Sequence, residues 1–168
     1  GSRETEPLTG AGDYAMSCIG RERIYEYCSR TFNIPMAILR LNYAVEMRYG
    51  VLVDIAQRVL AGLPVDVSMG YLNAIWQADA NAAALSALAH LATPPCVLNI
   101  AGPEVLSVRA VAEDFGRRFG KTVTTQGVES PDALLSNAEI SHRLFGPPRI
   151  GAARMIAWIA DWLARGGT

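Results

Sequence analysis

The sequence predicts an α/β domain, and three observations carry that reading. Two continuous apolar runs, residues 36 to 45 and 96 to 101, are broken only by single polar residues, as strands buried on both faces are. Around them, apolar residues recur at three- and four-residue spacing, as on helices that cover a sheet. Glycine and proline mark the ends of most of these segments.

Residues 1 to 12 are polar, contain Pro7, Gly10 and Gly12, and read as an irregular lead-in. Gly1-Ser2 has the form of an expression-tag remnant and is set aside from the fold argument. Asp13 is placed to cap a helix of about 18 residues, because its carboxylate can accept from the free amides of the first turn. Tyr14, Cys18, Arg21 or Glu22, and Tyr25 then share one face, and Asn33-Ile34-Pro35 ends the helix. Residues 36 to 45 follow as a buried strand. Arg40 within it needs a carboxylate, Glu22 or Glu46, and the polar Asn42 stands at the strand's carboxyl end, where open α/β sheets place ligand contacts.

Val51, Leu52, Ile55, Val59 and Leu60 mark a helix that stops at Gly62 and Pro64. Val65 to Met69 reads as a short strand, Gly70 to Asn73 as a turn, and residues 73 to 77 stay ambiguous. An alanine-rich helix begins at Asp79, read as a cap, or at the residues just before it, and runs to about Ala92, where Thr93-Pro94-Pro95 breaks the chain. The second apolar run closes at Gly102-Pro103. Ser107 caps a helix bearing Val108, Val111, Phe115 and Phe119 and ending at Gly120. Lys121 to Gln126 alternates as a half-exposed strand. Ser136-Asn137-Ala138-Glu139 has capping-box form before Ile140, Leu144 and Phe145. The last helix turns Met155, Ile156, Ile159, Trp162 and Leu163 inward, with Trp158 and Trp162 read as packing, and ends in a flexible Gly166-Gly167 tail. Three or four strands thus alternate with five or six helices, and residues 1 to 168 read as one domain.

With 51% hydrophobic residues, 18% charged and a net charge of −1, the chain gives no electrostatic case for nucleic acid or an anionic membrane. No apolar run reaches the roughly 18 residues that span a bilayer, and the reading is cytoplasmic. Cys18, Cys28 and Cys96 lack metal-ligand spacing and read as free, mostly buried thiols. His90 and His142 have no ligand-spaced neighbours, so no metal site is expected.

Tyr14 followed by Cys18 and Glu22, the strand Ile38 to Asn42 with Tyr43-Ala44-Val45, the approach Glu4-Thr5-Glu6-Pro7, Gln77-Ala78-Asp79, and Val97 to Gly102 before Ser107 occur in one order. In that order they resemble the second half of the extended short-chain dehydrogenase/reductases, the NAD-dependent epimerase/dehydratase group that acts largely on nucleotide sugars. The resemblance implies a partial Rossmann-like, three-layer parallel sheet with flanking helices plus the small substrate-binding part. It implies Tyr14 as catalytic acid/base, Cys18 at the position of the lysine of Tyr-x-x-x-Lys, and Asn42, Tyr43 and Ala44 beside the cofactor. NAD or NADP is the implied cofactor and a nucleotide sugar the implied substrate class. A homodimer is implied as well.

The sequence departs from that pattern in two ways. No strand leads into a glycine-rich turn of the kind that brings helix amides to a pyrophosphate, so the dinucleotide-binding half is expected to be absent and the cofactor not bound by this chain alone. Cys18 also brings no positive charge. A phenol titrates at about 10, so about one in a thousand is ionised at pH 7, and each unit of lowering is worth roughly 1.4 kcal/mol. A lysine favours the phenolate; a thiol does not. Two readings stay open: the substrate-side half of an epimerase, dehydratase or reductase, and a non-catalytic binding or assembly module.

Overall fold

The structure is a computed structural model describing residues 1–10, 12–130 and 133–168; Ala11, in the expected lead-in, lies outside them. Helix α1 (Asp13–Phe32) ends at Asn33, whose left-handed conformation (φ 50°) lets Ile34 N donate back to Ser29 O at 3.0 Å. Of its 20 residues only Glu22 and Ser29 are buried. Strand β1 (Ala37–Leu41) follows, then β2 (Ala44–Val45), α2 (Val51–Leu60), β3 (Val65–Asp66), β4 (Tyr71–Leu72) and β5 (Ile75–Trp76). After α3 (Gln77–Ser86) and a 3-10 turn (Ala87–His90) come β6 (Cys96–Ile100), β7 (Leu106–Ser107), α4 (Val108–Phe119), β8 (Thr125–Gln126), α5 (Glu139–Phe145) and α6 (Ala152–Ala164).

The α/β class stands, with parallel strand pairs flanked by helices. The two expected apolar runs pair with each other in parallel, from Ala37 opposite Cys96 to Leu41 opposite Ile100. Three two-residue pairs accompany them: β2 with β5 and β3 with β8 in parallel, and β4 with β7 antiparallel. The strands are more numerous and shorter than the sequence suggests, because two-residue pairings leave no periodicity to detect.

Helices α2, α4 and α6 enclose the larger core, in which Leu52, Val59, Phe115, Met155 and Ile159 are almost wholly buried. Each such side chain contributes about 1.5–3 kcal/mol by leaving water. A second cluster, built on Ile75, Leu98 and Ile100, holds β1 and β6 against α3 and α5. Among the described residues no helix is long and apolar enough to cross a membrane.

Several caps differ from expectation. Asp13 lies inside α1, whose cap position is Gly12 and has no side-chain hydrogen bond. Asp79 likewise lies within α3, capped at Trp76; its Oδ2 instead accepts from Ile150 N at 3.0 Å, tying down a distant loop. Ser136 caps nothing: α5 begins after Ala138, and Asn137 Oδ1 accepts from Glu139 N. Ser107 does cap α4, accepting from Ala110 N, and Gly120 ends it with φ 63°. The expected strand from Lys121 shrinks to Thr125–Gln126. Gly166-Gly167 is not a loose tail, since Gly167 N donates to Trp162 O and an added Cβ there would strike the Trp162 ring. Trp158 packs edge-on to Trp76 with Arg154 over its ring.

Candidate functional site

The organising feature is a groove of about 1000 Å³ between α1 and β1, walled by Tyr14, Cys18 and Tyr25 of the helix and by Leu39 and Leu41 of the strand. One anchor fixes its width. Arg40, forced into an apolar strand, donates from Nε and Nη2 to the two carboxylate oxygens of Glu22 at 3.1 and 2.5 Å, and from Nη1 to Glu4 O at 3.0 Å. The Glu22 hydrogen bond holds the Arg40 pKa above its ordinary value. Of the two carboxylates the sequence offers, Glu22 takes Arg40, and Glu46 pairs with Arg48.

The two edges of the β1–β6 ladder are treated differently. Cys96 N donates to Met36 O, and Asn42 N to Ile100 O. With the parallel register, that turns the backbone of Ala37, Leu39 and Leu41 outward on one side and that of Val97, Asn99 and Ala101 outward on the other. Side chains cover the Asn99–Ala101 side. Glu4 Oε1 accepts from Asn99 N at 2.9 Å, Ser141 Oγ donates to Asn99 O at 2.8 Å, and His142 Nε2 donates to Ala101 O at 2.9 Å. The outward backbone of Ala37, Leu39 and Leu41 has no hydrogen-bond partner among the described residues, and it borders the groove.

At the carboxyl ends of the two strands sits a knot of asparagines. Asn42 Nδ2 donates to Asn73 Oδ1 at 2.7 Å. Buried Asn73 donates in turn to Gly102 O at 3.0 Å and Ser136 O at 2.8 Å. Gly102 permits this closeness, since a Cβ there would lie 2.0 Å from Ala74 O. Asn99 Nδ2 joins Ser2 O and Asn137 O, so the first residues of the chain are bound down as well.

The structure therefore brings Tyr14 and Cys18 into one groove, while Asn42, Tyr43 and Ala44 do not line it. Tyr14 is 83% exposed and its hydroxyl has no partner among the described residues. Tyr43 adopts φ 42° and packs on the larger core, with its carbonyl accepting from Ile75 N; Ala44 belongs to β2. All three cysteines are free and half-buried rather than buried. Among the described residues no cluster of His, Cys, Asp or Glu is suited to a metal. Nor, among the described residues, does any strand run through a glycine-rich turn into a helix, so these residues do not fit a dinucleotide's pyrophosphate. Sequence reasoning missed Asn73 and the edge cover from Glu4. The available signal was a single asparagine inside the apolar run Val97–Ile100, since a buried amide demands partners.

No family model matches the chain, and no curated protein does. Solved structures do match. UDP-glucuronic acid 4-epimerase from Bacillus cereus in complex with NAD is similar at TM-score 0.83 and 16% identity, over 99% of this chain and 57% of that one. UDP-glucose 4-epimerase from Thermus thermophilus in complex with NAD gives 0.80 and 22%, over 99% and 58%. UDP-glucose 4-epimerase from Thermotoga maritima with UDP-glucose gives 0.79 and 16%, over 98% and 57%. At these identities the likeness is one of fold: the chain has the fold of part of these epimerases and spans a little over half their length.

Proposed function

We propose that this chain is the substrate-side, C-terminal half of an NAD(P)-linked epimerase or dehydratase acting on a nucleotide sugar, with Tyr14 as the group that takes and returns the substrate hydroxyl proton. The observation that carries the reading is the open β1 edge beneath α1. A helix that leads into a parallel strand is ordinarily the crossover of a strand–helix–strand unit. Here α1 enters β1, and the place beside β1 for the first strand of that unit is the groove that Tyr14 and Cys18 line. The dinucleotide-binding half is assigned to a further stretch of polypeptide seated there. That agrees with neighbours that are longer than this chain and whose structures hold NAD. The reading includes Asn42, Tyr43 and Ala44 near the cofactor, self-association as a homodimer, and a cytoplasmic setting in keeping with three unpaired thiols.

A second reading, a non-catalytic binding or assembly module, is favoured by Cys18. It supplies no cation to favour the Tyr14 phenolate, and no side chain among the described residues bonds the Tyr14 hydroxyl. Calorimetric titration of the chain with NADH tests the division of labour: no saturable binding at millimolar ligand is expected, and one-to-one binding overturns it. In a longer polypeptide that carries both halves, the enzyme reading expects NAD-linked turnover that rises at least tenfold with Cys18→Lys. Absence of turnover in both forms selects the module.

A further inference from the structure

We infer that the groove between α3, α5 and the loop of residues 146 to 150 is a binding site for a free apolar α-amino acid. Asp79 and His142 receive its ammonium, Arg149 its carboxylate, and the alanine face of α3 its side chain. None of these residues lines the α1–β1 groove, and the inference does not depend on the reading above.

The groove encloses about 490 Å³. Its floor is the end of two strands, Ile75 of β5 and Ile100 of β6. Helix α3 turns Ala78, Ala82 and Ala83 toward it, at the spacing of one helix face, and Phe145 and Pro148 also wall it. Alanine at these positions leaves room that a larger side chain would fill. His90 packs edge-on to Phe145, with ring centroids 5.4 Å apart, and holds that ring in place.

The polar groups each keep a bonding site unused. Asp79 Oδ2 accepts from Ile150 N at 3.0 Å, and its Oδ1 has no partner among the described residues. That bond also brings Arg149, the residue before Ile150, beside the same carboxylate. Arg149 is nevertheless exposed and has no hydrogen-bond or ion-pair partner among the described residues. His142 Nε2 lies 2.9 Å from Ala101 O. A carbonyl only accepts, so Nε2 carries the proton and Nδ1 of the neutral ring offers a lone pair, again without a partner among the described residues. Helix α3 has no side-chain cap, so its first-turn amides add a second receptor for a negative group.

An anionic acceptor, a neutral acceptor and a cation together select a head group that bears both N–H donors and a carboxylate. A plain amine leaves Arg149 unanswered, and a fatty acid sets a carboxylate against Asp79. A residue inside a peptide has neither charge, and a terminal residue has only one. From Asp79 to Ser86 the helix rises about 10 Å, room for an amino acid with a ring or a branched chain laid along it.

Nuclear magnetic resonance titration of the isotope-labelled 168-residue chain with L-phenylalanine tests this. Saturable shifts are expected at the backbone amides of Ala82, Ala83, Gly146 and Ile150, with half-saturation at or below about 10 mM. L-phenylalanine amide lacks the carboxylate, N-acetyl-L-phenylalanine the ammonium and glycine the side chain; each is expected to bind at least about tenfold more weakly. Arg149→Ala removes an exposed, unpartnered side chain and is expected to weaken binding about tenfold. Ala82→Leu is expected to abolish it by filling the groove. Both variants are expected to keep the parent's circular dichroism and melting. No saturation by about 10 mM, or shifts confined to α1 and β1, overturns the site. Amide or acetyl forms that bind as tightly as the amino acid overturn the zwitterion assignment. Should either variant fail to fold, the ligand series on the unsubstituted chain decides by itself.

Discussion

Glu22→Ala tests what holds α1 to the sheet. Glu22 is one of only two buried residues of that helix, and its carboxylate receives two hydrogen bonds from Arg40. Removing one partner of a buried ion pair costs about 3–5 kcal/mol, because the remaining charge stays out of water. The Arg40 side chain is 20% exposed, that of Glu22 10%, and Arg40 keeps its bond to Glu4 O, so the low end applies, about 3 kcal/mol. For a chain of this size that lowers the midpoint of thermal unfolding by roughly 6–12 °C. The paired replacement Glu22→Leu with Arg40→Met removes both charges and is expected to fall within about 1 kcal/mol of the starting protein. Urea unfolding followed by circular dichroism measures both, and hydrogen exchange shows whether α1 loosens first. A single Glu22→Ala variant within about 1 kcal/mol of the parent refutes the claim that this pair anchors the helix.

Gly102→Ala puts a methyl group 2.0 Å from Ala74 O, a backbone atom held beside β5, and is expected to cost more than about 4 kcal/mol; a soluble variant with unchanged melting refutes it. The Ser68 hydroxyl and amide, with Arg58 nearby, hold the Asp66 carboxyl below its ordinary value. A depressed carboxyl stabilises the fold above its unfolded pKa of about 3.9 and loses that contribution as pH falls through the folded value, so Asp66→Asn is expected to flatten the stability profile below about pH 4. An unchanged acid limb counts against it. Tyr14, Ile24, Tyr27 and Phe32 are exposed on α1, and β1 has an open edge, so the chain is expected to self-associate with concentration in light scattering. Leu41→Lys, which adds a charge on that edge, is expected to weaken the association, and a monodisperse parent monomer refutes the expectation.

Features with a local cause were legible in the sequence. An arginine inside an apolar strand announces a carboxylate partner, and Glu22 is it. Ser107 and Gly120 bracket α4 as their chemistry requires. Tyr14 and Cys18, four apart on a helix, do share a groove. Features set by distant parts of the chain were not legible. Asp79 has the composition of a cap, but its carboxylate bonds a loop more than 70 residues away. Asn73 sits in a segment without periodicity, and its four hydrogen bonds reach Asn42, Gly102 and Ser136. Nothing in the order of residues says that Glu4 will lie along Asn99.

The unequal edges of the β1–β6 ladder also limit how many copies could ever join through them. Endless stacking of identical sheets needs two receptive sides on every unit, one to accept and one to offer. Here Glu4 and Ser141 occupy Asn99 and His142 occupies the carbonyl of Ala101, so that among the described residues one side keeps only Val97 and the Ala101 amide open, while Ala37, Leu39 and Leu41 are all open on the other. A unit with one long receptive side and a second side blocked at its middle can close a pair or take one strand, and offers no continuous edge to another. The side chains on Asn99 and Ala101 thus act as a chain terminator, and misassembly through this ladder ends in small closed species rather than fibres.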